Sequence, residues 1–138
     1  MGGEAMGNRS CAAVLNRERQ LMVRQRYKGE QIWTFLGGDI EDGETAEEAA
    51  IREVYEETNL RIEIVQPLLQ GYNDRIQGMY YCFLGIVMGG ELSMGTDPEL
   101  PEQEQELQEV RWFQLDELPV TKEVQAVLPY IRNSGRMP

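Results

Sequence analysis

Residues 36–60 read Leu36-Gly37-Gly38-Asp39-Ile40-Glu41-Asp42-Gly43-Glu44-Thr45-Ala46-Glu47-Glu48-Ala49-Ala50-Ile51-Arg52-Glu53-Val54-Tyr55-Glu56-Glu57-Thr58-Asn59-Leu60. The paired glycines, followed by Asp39, Asp42 and Gly43, mark a turn-rich stretch, because glycine adopts backbone conformations closed to other residues. A helix follows. Thr45 and, three residues later, Glu48 make a capping box, and Ala46, Ala49, Ala50, Ile51 and Val54 supply good helix formers with an apolar stripe. The pattern predicts a helix to about Thr58, with Asn59 at the left-handed terminal position that favours Gly and next Asn. Glu53, Glu56 and Glu57 stand at i, i+3 and i+4 and share one face, with Arg52 beside it, four residues before Glu56. Such an acidic face is ordinarily just solvated. Here, however, like charges at these spacings cost roughly 0.2–0.5 kcal/mol per pair, and the cluster lies in the last turns, where the helix dipole already disfavours negative charge. A bound cation reverses both effects. Gly37, Gly38 and Glu44 lie just before the same helix, so glycine backbone and a further carboxylate can reach the cluster.

Towards the amino terminus, Cys11 to Leu15 and Gln20 to Tyr27 read as a strand, turn, strand unit, with Leu21, Val23 and Tyr27 on one side and Arg24, Arg26 and Lys28 on the other. Ile32 to Phe35 is a short extended piece. Beyond the helix, Leu60 to Gly71 and Met79 to Val87 read as longer strands, the second apolar on both faces and therefore central in a sheet. Met88 to Gln105, rich in Gly, Pro and Glu, is too polar for core and reads as a long surface loop, a kind of segment often tied to function. Glu109 to Gln114 is a further strand. Val120, Val124, Val127, Leu128 and Ile131 mark one face of a closing helix whose last turn Pro129 leaves open. With no internal repeat or low-complexity linker, a single domain is expected over residues 10–133, after a flexible terminus at 1–9 and before a short tail at 134–138.

The chain has 138 residues and a net charge of -11, so most of its surface repels nucleic-acid polymers, whose binding needs Lys and Arg to neutralise phosphates. It contains no histidine, which removes the commonest general base and the commonest nitrogen ligand for transition metals. Acid-base and metal chemistry therefore falls to carboxylates, which favour hard cations such as Mg2+ or Mn2+. No apolar run approaches the ~18 residues of a membrane span. MGGEAMGNRS has no charged-then-apolar signal pattern, and Met6 stands where a myristoylation motif takes Ser or Thr, so a cytoplasmic protein is expected. Cys11 and Cys82, each inside an apolar run, read as buried reduced thiols.

Gly38, five residues, Glu44, seven residues, then Arg52-Glu53-Val54-Tyr55-Glu56-Glu57-Thr58-Asn59-Leu60 resembles the Nudix box. Every charged position of that pattern is met. The departures are Asn59, where the family usually has Gly, and Leu36, where many members carry Pro; Asn also tolerates a left-handed helix end. Glu106 to Leu118 is similar to the family's late strand and following turn, in which a Glu six residues before the Trp comes from a loop facing the metal site; here these are Glu106 and Trp112. The resemblance implies an α/β/α sandwich, a mixed β-sheet between helices, in the α/β (α+β) class. It also implies a hydrolase cleaving a phosphoanhydride bond in a nucleoside diphosphate linked to another moiety, by attack of a water that Mg2+ activates, with Mn2+ able to substitute. Carried over by position, Glu53, Glu56, Glu57 and the Gly37 carbonyl hold metal, Arg52 orients the carboxylates, and Glu53 or Glu106 takes the proton.

The substrate is expected to be a small nucleotide, with nucleoside triphosphates, ADP-ribose, nucleotide sugars and dinucleoside polyphosphates all open, and the protein a monomer or homodimer away from membranes. Arg24 and Arg26 are candidates to meet phosphates, set against a solvated edge strand. Trp33, Tyr72, Tyr80 and Tyr81 are candidates to stack on a base, set against aromatic core, and Tyr80 is carried forward among them. The alternative function is a catalytically silent Nudix-fold nucleotide-binding or sensor module, which is expected to have lost box carboxylates that this chain keeps. A further alternative is an acidic interaction domain with an accidental match.

Overall fold

A computed structural model describes residues 7–16, 19–27, 30–74, 76–93, 107–118 and 122–132, and within these the side chains of 7–16, 33–74, 76–93, 109–118 and 124–131. Among the described residues, seven strands form one sheet: β1 (Arg9–Asn16), β2 (Arg19–Tyr27), β3 (Glu30–Thr34), β4 (Leu36–Asp39), β5 (Arg61–Asn73), β6 (Gly78–Gly89) and β7 (Leu107–Gln114). Helix α1 (Ala46–Thr58) leaves β4, and α2 (Lys122–Arg132) closes the chain after a short 3-10 turn at Leu115–Glu117.

The Cys11 to Leu15 run is buried throughout because β1 lies inside the sheet, paired along both edges, and is covered by α1 on one face and α2 on the other. One edge runs parallel to β6 from Arg9 to Leu15, and the other is shared antiparallel by β4 at Arg9 to Ala12 and β2 at Val14 to Asn16. All other pairings are antiparallel, which makes the sheet mixed. Alternation along β1 divides the core in two. Ala12 and Val14 pack with Leu36, Ala50, Val54 and Phe83 under α1, while Cys11, Ala13 and Leu15 pack with Cys82, Leu84, Val124, Val127 and Ile131 under α2. The sheet thus lies between helices, the expected sandwich. Cys11 and Cys82 are buried free thiols, as their apolar settings implied.

Several boundaries differ from those read off the sequence. Ordered structure begins before residue 10, since Asn8 already accepts from the Ile40 amide at its carbonyl (3.0 Å) and from the Met79 amide at its side chain (2.8 Å). Gly37 and Gly38 are strand residues of β4 and not a turn; among the described glycines only Gly43 and Gly90 have positive φ. Steric room explains this pair. A Cβ at Gly37 would stand 2.3 Å from the Ser10 carbonyl oxygen and 2.5 Å from Cys11 Cβ, so the glycines permit close approach and supply no unusual dihedral. Pro129 lies inside α2 without ending it, and Val127 and Ile131 on either side are fully buried. Met88 and Gly89, assigned to a loop by their composition, complete β6, and Glu91 to Ser93 are exposed; the remainder of the expected loop and Val120 lie outside the described residues.

Candidate active site

Helix α1 begins as its sequence predicts, with the Thr45 hydroxyl accepting from the Glu48 amide and the Glu48 carboxylate accepting from the Thr45 amide. It ends at Asn59, which is left-handed at φ 67 and donates from its amide to the Tyr55 carbonyl. Ala49, Ala50, Val54 and Thr58 are buried, and this fixes the rotation of the helix so that Arg52, Glu53 and Glu57 turn towards β4. Ser10 ties the start of α1 to the sheet by donating from its hydroxyl to the Ala46 carbonyl at 2.6 Å.

Arg52 is the organising group. Its Nε donates to Glu44 Oε2 at 2.6 Å, Nη2 to Glu44 Oε1 at 3.1 Å and to the Asp39 carbonyl at 2.9 Å, and Nη1 to Glu53 Oε2 at 2.9 Å and Glu56 Oε1 at 3.2 Å. Side-chain exposures of 22% for Arg52, 18% for Glu44 and 17% for Glu53, against 56% for Glu56, place the first three inside the site and Glu56 at its rim. The guanidinium beside Glu44 holds that carboxyl below its ordinary value, and Glu44 in turn pushes the Arg52 pKa up. A two-pronged Arg-carboxylate contact of this kind fixes orientation as well as charge.

The glycine pair meets the other carboxylates. The Gly37 amide donates to Glu57 Oε1 at 3.2 Å, and a Cβ on Gly38 would fall 2.5 Å from Glu53 Cδ, so the missing side chain is what lets that carboxylate lie against β4. Burial pushes the Glu53 pKa up, opposed by Arg52. Burial also pushes Glu57 up, to about 8, with the Glu53 charge adding to the rise and the Gly37 amide opposing it. The charge of Arg9, at the exposed start of β1, lowers the pKa of each. Sequence reading assigned Arg9 to a flexible terminus, whereas it opens β1 opposite Asp39 of β4.

A divalent cation fits the chemistry of these donors. All are hard carboxylate oxygens, and burial leaves the charged form of Glu57 in need of a countercharge that Arg52, committed to Glu44, Glu53 and Glu56, does not supply. In the arrangement described, Glu56 is turned to Arg52 and Glu57 to the Gly37 amide, and among the described residues no three acidic side chains converge on one point. A cation would draw Glu56 and Glu57 off these partners.

Not every expected residue joins this cluster. Glu106 lies outside the described residues, and of Arg24 and Arg26 the backbone in β2 is described, opposite Trp33 and Gln31 respectively. Tyr80 packs against the core under α2, with its hydroxyl 3.0 Å from Cys11 Sγ, so the sheet stands between it and the carboxylates carried by α1. Trp33 likewise packs on that side, edge-on to Phe113 at 5.0 Å with the Arg111 guanidinium 5.2 Å from its ring. Tyr81 packs under α1, and Tyr72 is exposed. A shallow cleft of about 330 Å³ opens beside β7 between Arg111, Trp112, Phe113, Gln114 and Glu117.

Comparison with known proteins extends the likeness beyond these residues. A family model described as the NUDIX domain matches residues 6–133. A Bacillus subtilis protein provisionally named 8-oxo-dGTP diphosphatase is 33% identical over 85 residues, covering 61% of this chain and 56% of its own length. An RNA pyrophosphohydrolase of Shewanella baltica is 49% identical over 55 residues, 40% of this chain and 31% of that protein. The chain therefore spans about half or less of the length of these curated relatives. Among solved structures, a NUDIX hydrolase from Nitrosomonas europaea superposes with a TM-score of 0.73 at 19% identity, covering 96% of this chain and 93% of that one. An ADP-ribose pyrophosphatase from Streptococcus suis gives 0.70 at 20% identity, covering 94% and 92%. At such identities the structural likeness shows the fold.

Proposed function

The chain belongs to the Nudix family, and from that premise we propose that it hydrolyses a phosphoanhydride bond in a nucleoside diphosphate linked to another moiety, at a Mg2+ site on α1. The observation that carries this reading is the seating of two acidic side chains of one helix face on the glycines of β4, Glu57 on the Gly37 amide and Glu53 in the space a Gly38 side chain would fill. A merely solvated helix face has no need of such seats. Glu53, Glu56, Glu57 and the Gly37 carbonyl are the assigned metal donors. When bound, Mg2+ offsets phosphate charge and makes water more acidic.

The protein's own groups do the rest. Arg52, locked by Glu44 and the Asp39 carbonyl, holds Glu53 in place. The proton of the attacking water passes to Glu106 or Glu53, and the larger fall in kcat between Glu106→Gln and Glu53→Gln identifies which. The net charge of -11 favours a small nucleotide over a polymer, and no described helix is long and apolar enough to cross a membrane. The test is incubation with Mg2+ and a panel of nucleoside triphosphates, ADP-ribose, nucleotide sugars and dinucleoside polyphosphates, with detection of phosphate, pyrophosphate or nucleoside monophosphate. Turnover that vanishes under chelation is expected. Silence across the panel would replace this reading with that of a nucleotide-binding module.

A further inference from the structure

We propose that Ser10 is a positioning residue of the carboxylate site, whose hydroxyl fixes where α1 lies on the sheet so that Glu53 and Glu57 reach their seats on β4. The inference rests on the reading above and adds to it a residue that touches neither metal nor substrate. Ser10 is fully buried at the head of the buried apolar run Cys11 to Leu15. A hydroxyl in such a place costs desolvation unless it is bonded, and alanine, which fills the nearby Ala12 and Ala13, carries no such cost. The Ser10 hydroxyl is bonded to the helix. It donates at 2.6 Å to the carbonyl of Ala46, the first residue of α1.

Strand register connects that bond to the site. Ser10 stands opposite Gly38, whose absent side chain leaves room for Glu53, and its carbonyl oxygen is the atom that a Gly37 Cβ would meet at 2.3 Å. Its other edge is held by β6 at Tyr81. Two residues of one rung thus receive α1 at two points, Ser10 at Ala46 and Gly38 at Glu53, about 10 Å further along the helix. The packing beneath the helix, Ala50 and Val54 on Ala12, Val14 and Leu36, is apolar and non-directional, so it selects the buried face and leaves the position along the axis open. A hydrogen bond to one carbonyl closes that freedom. Working constellations of donors tolerate displacements of only about 0.5 Å, so α1 released at Ala46 carries Glu53 off Gly38 and Glu57 off the Gly37 amide.

The test compares the parent with Ser10→Ala, Ser10→Cys, Ser10→Thr and, as a core variant under α2, Val127→Ala. Three quantities are read: the melting temperature, Mn2+ binding without substrate from the paramagnetic resonance of free Mn2+, and kcat and KM on a turned-over substrate. Ser10→Ala removes the hydroxyl, and Ser10→Cys replaces it with a weak donor and keeps the site filled should Ser10→Ala fail to fold. Both should weaken Mn2+ binding and lower kcat by about tenfold, with KM within about twofold of the parent. Ser10→Thr keeps the hydroxyl and should stay within about threefold on each. Val127→Ala should melt lower through its cavity while its Mn2+ affinity and kcat stay near the parent's. Parental Mn2+ affinity and kcat in Ser10→Ala and Ser10→Cys would overturn the proposal, as would an equal loss in Val127→Ala, a Ser10→Thr no better than Ser10→Ala, or a parent that binds no Mn2+. Mn2+ binding that depends on the Ser10 hydroxyl in a protein that hydrolyses nothing would sustain Ser10 and sink the hydrolase reading. Turnover with Mn2+ affinity and kcat unchanged in Ser10→Ala would do the reverse.

Discussion

At the scale of single residues, Gly37 and Gly38 do different work although they are neighbours, and substitution separates them. An alanine Cβ at Gly37 meets backbone and a fixed side chain, Ser10 O at 2.3 Å and Cys11 Cβ at 2.5 Å, neither of which can move without parting β1 from β4. An alanine Cβ at Gly38 meets only the end of Glu53, 2.5 Å away, which can swing aside. Gly37→Ala is therefore expected to lose about 1–3 kcal/mol in chemical denaturation, the usual cost of overpacking. Gly38→Ala should fold nearly as well as the parent but lose most of its turnover, because Glu53 leaves the place Arg52 holds it in. Equal stability of the two variants would show that the close approach at Gly37 is dispensable. Arg52→Lys tests the neighbouring contact. A single ammonium cannot reproduce the fork on Glu44 together with the Asp39 and Glu53 bonds, so kcat should fall by roughly tenfold or more with little loss of fold. The chemistry of both glycines was legible as residue type, whereas their reason for being glycine was not, since a steric requirement across strands leaves no trace in local sequence.

At the scale of elements, α1 was the most legible part of the chain, because its signals are local: Thr45 and Glu48 cap it, alanines fill it, and Asn59 ends it left-handed. Asn59 also donates from its side chain to the Glu91 carbonyl at 3.1 Å, and the Ser93 amide donates to the Thr58 carbonyl at 2.9 Å, so the helix end anchors the segment leaving β6. Asn59 therefore does more than tolerate the left-handed helix end. Asn59→Gly relieves the left-handed backbone but gives up the Glu91 bond, and the two effects should cancel to within about 0.5 kcal/mol. Asn59→Ala loses on both counts and should cost about 1–2 kcal/mol by the same measurement. A variant Asn59→Ala as stable as the parent would mean that neither the φ of 67 nor the side-chain bond matters. Strand β4 was the least legible element. Only four residues long, it carries the two glycines, and its extended state comes entirely from pairing with β1. Sequence patterning also could not supply the order of the strands, in which β1 is shared between β4 and β2 along one edge, nor the bulges that let Pro67 sit in the outermost strand β5.

At the scale of the whole molecule, the site was legible from the spacing of its carboxylates, but not its electrostatic state, which depends on how the sheet buries them. Alpha-helical spacing alone put three carboxylates on one face, whereas the fold makes Glu56 a rim group held by Arg52 and leaves Glu57 half-buried against Gly37 with its pKa pushed up to about 8. This raised value has a direct consequence for stability. In the unfolded chain Glu57 ionises near the ordinary value of 4.5, and in the folded protein at about 8. Between those limits the unfolded state has released a proton that the folded state keeps, so the stabilisation is fully present below pH 4.5 and is lost as pH rises through about 8. Under chelation the melting temperature should therefore fall between pH 5 and pH 8, apart from the shared contribution of other groups. Added Mg2+ opposes the trend, because the cation takes the ionised carboxylate and binds only the folded state; at one hundred times Kd this is worth about 2.7 kcal/mol. Its effect on melting should grow with pH. Glu57→Gln isolates the group, since it keeps an oxygen for the Gly37 amide and removes the charge. The variant should melt at or above the parent at pH 8 under chelation, show a flatter pH dependence, and gain less from Mg2+. If instead it melts several degrees lower than the parent at pH 8 without metal, the ionised Glu57 is a structural partner of β4 and not a metal ligand kept at the expense of stability.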